Sequence, residues 1–261
     1  MLPKDALMKG CHDRQGLATL IDQAETVLRT WQPSWSDFLH PKLREEALSR
    51  LSVLTELEFA SDGGFPSAER QRLYCRRRDE SFGSQLEIAP IQGLLIEGNF
   101  LFDPITPQDL RCALESLGAR PDSLGDIWIR GDRGGQAVCT PELACQLDGR
   151  TGLLRSVEIR CEATNHDQLQ LPATRVKKRL TSVEASCRLD AIASAGFGLS
   201  RAKVVNQIKQ GRLRLNWQPV KNASRELAVG DCLQLQARGS LEVISLELTK
   251  RQRWRVEMIR S

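Results

Sequence analysis

Residues 198–216, GLSRAKVVNQIKQGRLRLN, change their period midway, and that change leaves few folds open. Between Arg201 and Gln210, the apolar residues Val204, Val205 and Ile208 share one helical face. Lys203, Asn206, Gln207 and Gln210 share the other. Ser200 stands where an N-cap belongs, and Gly211 stands where a helix stops. After Gly211 the pattern alternates: Leu213 and Leu215 point one way, Arg212 and Arg214 the other. The expected unit is a capped helix running through a glycine into a short strand. Its apolar half feeds a core, and its five cations, with no acid among them, stay outside. A capped helix N-terminus beside Arg201 is a natural place for a phosphate.

The charge of the whole chain points the same way. Residues 172–261 hold 18 Lys+Arg against 7 Asp+Glu, whereas residues 1–171 hold 19 against 26. A net +4 over 261 residues therefore conceals a basic C-terminal part and an acidic remainder. Such asymmetry suggests a nucleic-acid-binding part joined to an ordinary one, with a solvated basic face as the bland alternative. At 41% hydrophobic and 27% charged, a soluble globular chain is expected. The first residues carry no apolar core of a secretory signal, and no apolar run approaches a membrane span. Eight cysteines are scattered without a C-x-x-C pair, and His12, His40 and His166 are isolated. Reduced thiols are expected rather than a zinc site, and no metal or cofactor is expected.

Helical spacing is clear in 17–31, with Pro33 as its stop. A second helix is expected from about Asp37 to Leu54, with Phe38, Leu39, Leu43, Ala47, Leu48, Leu51 and Leu54 on one face. SDGGFPSAERQR (61–72) reads as a turn into a charged segment. RLYCRRR (72–78) and IQGLLIEG (91–98) read as strands. A helix is expected from Thr106 as N-cap, with Pro107 at N1, Asp109 at N3 and Gly118 at the end. DIWIR (126–130) and QAVCT (136–140) read as a hairpin, PELACQLD as a helix, and 154–163 as a last strand. That order is the split βαβ, ferredoxin-like pattern. RNA-recognition motifs share it but need exposed aromatics on central strands. Trp128 is the chief candidate here, so this domain reads as scaffold rather than RNA reader. The expected fold is α+β, in four parts: N-terminal helices over 1–60, a ferredoxin/RRM-like domain over 61–164, a basic linker over 165–184, and an RNA-binding unit over 185–261. The linker carries Arg175, Lys177, Lys178 and Arg179.

RLDAIASAGFGLSRAKVVNQIKQGRLRLN, followed by Val220 and Gly230-Asp231, resembles the S4 RNA-binding module. R-L-D, S-R, an I-x-x-G turn, a short strand ending in Asn, and G-D appear in the module's order. Trp217 departs from it, standing where the module usually has Gly after Asn. With GGFPSAERQR and LGDIWI upstream, nearly the whole chain resembles the YlmH-type S4 proteins, and most closely their photosynthetic-lineage branch, often labelled photosystem II S4 domain protein. The resemblance implies ribosome and RNA binding; bacterial members act with the large subunit and peptidyl-tRNA when translation stalls. It puts the RNA face at Arg188, Ser200, Arg201, Lys203, Lys209, Arg212, Arg214 and Asn216. Asn216 could equally be a turn residue, and Asp190 is expected to cap or pair locally rather than touch RNA. The cations at 250, 251, 253 and 255 are left open between contact and solvated surface.

Several RNA enzymes carry S4 modules. A pseudouridine synthase would place its Asp in an R-L-D motif, but only 71 residues follow Asp190, and the S4 pattern uses them. No phosphate-binding G-x-x-x-x-G-K-[ST] loop is present. RGDRGGQ joins two strands rather than a strand and a helix, against a methyltransferase loop. The expectation is a non-catalytic, monomeric RNA-binding protein of the cytoplasm or plastid stroma. Its partners would be rRNA of the large ribosomal subunit, with tRNA nearby. The alternatives are an RNA-modifying enzyme targeted by its S4 module and a photosystem II biogenesis factor acting on RNA.

Overall fold

The computed structural model describes residues 2–78, 87–172, 177–235 and 238–261. The chain divides into two compact units, residues 1–173 and 174–261.

The first unit opens with α1 (Lys4–Met8) and α2 (Arg14–Thr30). Asp13 caps α2 by accepting from the Gly16 N–H, and Leu17, Leu20, Ile21, Ala24 and Val27 form its buried stripe. The next segment differs from the expectation. Residues 34–39 are a strand, β1 (Ser34–Leu39), and the helix, α3 (Pro41–Leu51), starts only after it. Pro41 is the cause. A residue before proline is pushed out of the helical region, and His40 is extended, at φ −64° and ψ 141°. Phe38 and Leu39 are buried all the same, as strand residues.

β1 is one edge of a three-stranded antiparallel sheet completed by β2 (Leu57–Asp62) and β3 (Gln71–Arg77), with β3 central. The strand expected at 72–78 therefore exists but pairs with β1 and β2, not with the central domain. The boundary expected at residue 61 falls inside β2.

The ferredoxin-like pattern follows, as β4 (Gln92–Glu97), α4 (Pro107–Ser116), β5 (Leu124–Ile129), β6 (Gly134–Cys139), α5 (Pro141–Leu147), β7 (Thr151–Leu154) and β8 (Val157–Thr164). The sheet order is β5-β6-β4-β8-β7, antiparallel throughout. Thr106 and Asp109 form a reciprocal capping box at α4. The single strand expected at 154–163 is a hairpin, with Arg155 at φ 56° in its turn. Leu94 and Ile96 pack with Leu110, Leu114, Leu143 and Leu147 on the helix side.

Among its described residues the second unit is one six-stranded sheet, order β11-β10-β12-β13-β14-β9, with two helices. Its elements are β9 (Lys178–Glu184), α6 (Leu189–Phe197), α7 (Arg201–Lys209), β10 (Leu213–Leu215), β11 (Gln218–Pro219), β12 (Cys232–Leu235), β13 (Gly239–Leu248) and β14 (Trp254–Arg260). The last seven residues of the expected basic linker are thus β9, paired along its length with β14; Arg175 lies outside the described residues. One core joins α6 and α7 to the sheet through Leu189, Ile192, Phe197, Val204, Ile208, Leu213, Leu215, Leu233, Leu241, Val243, Val256 and Met258. Each large side chain fully buried there stabilises the unit by roughly 1.5–3 kcal/mol relative to exposure.

Candidate nucleic-acid interface

In α7 most of the sequence pattern is realised, although Val205, expected on the inner face, is only half-buried. Gly198 ends α6 in the left-handed region at φ 64°, and Gly211 turns the chain out of α7 at φ 68°. Between them the Ser200 hydroxyl accepts from the Lys203 N–H at 3.3 Å. Val204 and Ile208 are buried, while Arg201, Lys203 and Lys209 are exposed. In β10, Leu213 and Leu215 are buried and Arg214 is exposed; Arg212, just before the strand, is exposed as well. With a rise of about 1.5 Å per residue, α7 holds Arg201 and Lys209 about 12 Å apart, one at each end.

The eight expected contact residues separate by what holds them. Arg201, Lys203, Lys209, Arg212 and Arg214 present cations to solvent. Ser200 is spent on capping. Arg188 is exposed too, but its guanidinium is tied up, donating to both oxygens of the buried Asp190 carboxylate at 3.1 and 2.9 Å. That hydrogen bond holds the Asp190 carboxyl below the usual carboxylate range. A depressed folded-state pKa gives stability that is present above about pH 4, where the unfolded carboxyl ionises, and lost as pH falls through the folded value. Arg188→Gln is therefore expected to destabilise the protein most at neutral pH. The gap to wild type should narrow toward pH 3, as unfolding curves at the two pH values would show. An equal gap at both would contradict the assignment.

Asn216 is also a structural residue. It sits at φ 48° in the turn between β10 and β11, with Trp217 at φ 65° beside it. Its Nδ2 donates to Asp231 Oδ1 at 2.8 Å, and its Oδ1 accepts from the Cys232 N–H at 2.8 Å. Asp231 in turn accepts from the Ala228 N–H at 2.9 Å. The Asn of the strand and the Asp of the Gly-Asp pair thus form one knot fastening the hairpin turn to β12. Trp217 keeps the tight turn, although a bulky residue at positive φ is an outlier. Asn216→Ala should cost about 1–2 kcal/mol of stability through the two lost hydrogen bonds, while leaving the salt dependence of RNA binding unchanged. A changed salt slope would make Asn216 a contact after all.

Sequence reasoning missed Glu184. β9 brings it to α7, where its Oε2 lies 3.5 Å from an Arg201 guanidinium nitrogen. The pairing of β9 with β14 is non-local, so no local pattern announces it.

Among the described residues the face of the central sheet opposite its helices is covered by apolar packing. Opposite its helices, Leu95, Val138 and Trp128 are packed under Phe38, Phe65, Ala68 and Leu169. Trp128 meets Phe65 edge-on, with ring centroids 5.7 Å apart, and its Nε1 donates to the Gln170 carbonyl at 3.1 Å. The GGFPSAER segment is what closes this surface. It is anchored by Asp126, which accepts from the Glu69 and Arg70 N–H groups, and by the Arg70 guanidinium, which donates to the Leu124, Phe38 and Pro121 carbonyls. Burial pushes the Cys75 and Cys139 thiols up to about 12 and Cys161 to about 11, so at neutral pH these sulfurs stay protonated and unreactive. No helix among the described residues is long and apolar enough to cross a membrane.

A short helix, a serine-capped basic helix and a strand hairpin tied to a Gly-Asp turn make this an S4-domain protein, and the S4 family model matches residues 187–232. The family model for the YlmH N-terminal region matches residues 12–80, which run from the start of α2 through β3. The chain thus carries both a YlmH N-terminal region and an S4 domain. Among curated proteins it is similar to "Ribosome-associated protein quality control protein P2" of Bacillus subtilis (strain 168), 26% identical over 255 residues, covering 94% of this chain and 95% of that one. Among solved structures it matches "Cell division protein ylmH from Streptococcus pneumoniae" at 17% identity and a TM-score of 0.47, over 61% of this chain and 94% of that one.

Proposed function

We propose that the protein binds structured RNA of the large ribosomal subunit, with tRNA nearby, through its S4 unit, and that it serves ribosome-associated quality control as a binder rather than a catalyst. The observation that carries this reading is the N-terminal turn of α7, where Arg201 and Lys203 are exposed together beside the Ser200-capped helix start. A helix N-terminus flanked by cations takes phosphate without reading base identity. The ribosomal setting draws support from the name of the Bacillus subtilis relative, which spans nearly the same length.

The cations at Lys209, Arg212 and Arg214 extend the surface beyond the C-terminal end of α7. A surface built this way follows backbone shape, as suits folded RNA. The test is sedimentation of the tagged protein from lysate through a sucrose gradient at low and high salt. The proposal expects co-migration with the large subunit at low salt and its loss at high salt. Migration at the top of the gradient in both would contradict it, and would turn attention to photosystem transcripts or to a modified base as the target.

A further inference from the structure

We infer that the hairpin tip between β13 and β14, Lys250–Arg253, is a second contact for the RNA backbone, continuous with the N-terminal turn of α7 and lying outside the S4 match. The inference rests on the RNA-binding reading of α7 and extends its footprint. Three of the four tip residues are cations, Lys250, Arg251 and Arg253, and all three are exposed. No acid occurs between Glu247 and Glu257. The ion pairs of this unit among the described residues are Arg179–Glu257, Arg188–Asp190 and Arg201–Glu184, and none uses the tip. Arg255, by contrast, is the ladder partner of Glu247 and is left out of the proposed contact.

The tip is held in one shape. The Arg253 N–H donates to the Thr249 hydroxyl at 3.1 Å, the Thr249 N–H to the Arg253 carbonyl at 2.7 Å, and Gln252 takes φ 53°. Exposed lysines often guard the edges of sheets against stray pairing, but that cannot be their purpose here. β13 lies between β12 and β14, and β14 between β13 and β9, so neither is an edge strand.

Register places the tip beside α7. Arg253 directly precedes Trp254, whose ladder partner is Glu184. Glu184 is the residue that meets Arg201. Cα atoms of ladder partners lie about 4.5–5.5 Å apart, so the tip begins one strand away from the group that holds Arg201. Two separate elements thus bring cations to one end of the sheet. The ligand chemistry that fits a row of unpaired cations continuing from a helix N-terminus is successive phosphates of one RNA backbone.

The test titrates the full chain with purified large-subunit rRNA across a salt series. It compares wild type, Lys250/Arg251/Arg253→Gln, the same three positions with Lys and Arg exchanged, and the Arg201/Lys203→Glu reversal. Each phosphate contact adds about 0.7–0.9 to the slope of log affinity against log salt. The glutamine variant is expected to lower that slope by about 2–3, with the exchanged variant close to wild type. Wild-type affinity and slope in the glutamine variant, alongside weakened binding by the α7 reversal, would overturn the hairpin contact and leave the S4 reading standing. Wild-type binding in all the variants would overturn both.

Discussion

Replacing Arg201 and Lys203 together by Glu is expected to weaken binding to large-subunit rRNA by at least about 100-fold, while the protein stays folded. The two side chains are exposed, and neither belongs to the core of the second unit. Each charge-assisted hydrogen bond to a phosphate contributes roughly 1.5–3 kcal/mol, and each 1.4 kcal/mol is about tenfold in affinity. Reversal also adds repulsion at the turn where the helix dipole favours an anion. The salt slope should fall by about 2, one for each lost phosphate. The Ser200 cap accepts from the Lys203 backbone N–H, which the substitution keeps, so the helix start survives. Wild-type affinity in this variant would remove α7 from the interface.

Phe197→Ala is expected to be the most destabilising of the substitutions considered, at about 3–5 kcal/mol. Phe197 is fully buried at the C-terminal end of α6, where it belongs to the core shared with α7, β10 and β12–β14. The Arg260 guanidinium lies 5.9 Å from its ring centroid, so the cavity would also strip that cation of its aromatic neighbour. Amide hydrogen exchange reads the effect locally: protection in α6, β13 and β14 should fall by two to three orders of magnitude, about tenfold per 1.4 kcal/mol. Unchanged protection in those elements would mean that the helices do not depend on this core. RNA affinity should fall only as far as the unit unfolds.

The S4 unit was legible because its punctuation is local. Ser200 and Gly211 each act on the residues beside them, and Leu213 and Leu215 declare the strand's inner face within three residues. The capping box at Thr106 and the hairpin at 126–139 were readable for the same reason. β1 was obscured because Phe38 and Leu39 continue the helical spacing of α3, and the one contrary signal, Pro41, sits behind them. The pairing of β3 with β1 and β2 joins residues far apart in sequence and is written in no single window. The same holds for the site. The exposed cations follow from periodicity, but the partners that set Arg188 and Arg201 in place do not. Asp190 is two residues from Arg188, yet nothing in the local pattern says that its carboxylate is buried and takes both guanidinium hydrogen bonds. Glu184 reaches Arg201 through a strand that read as linker. Asn216 suits both contact and turn in the sequence, and its two hydrogen bonds supply the turn role.

The central claim is that the exposed face of α7 lies on large-subunit rRNA. Ultraviolet cross-linking of the wild-type protein to intact ribosomes, with mass-spectrometric mapping of the linked peptides and sequencing of the linked RNA, tests it most directly. The account predicts linked peptides from residues 198–216 and linked nucleotides from large-subunit rRNA. Cross-links confined to residues 1–172, or to RNA outside the ribosome, would contradict it.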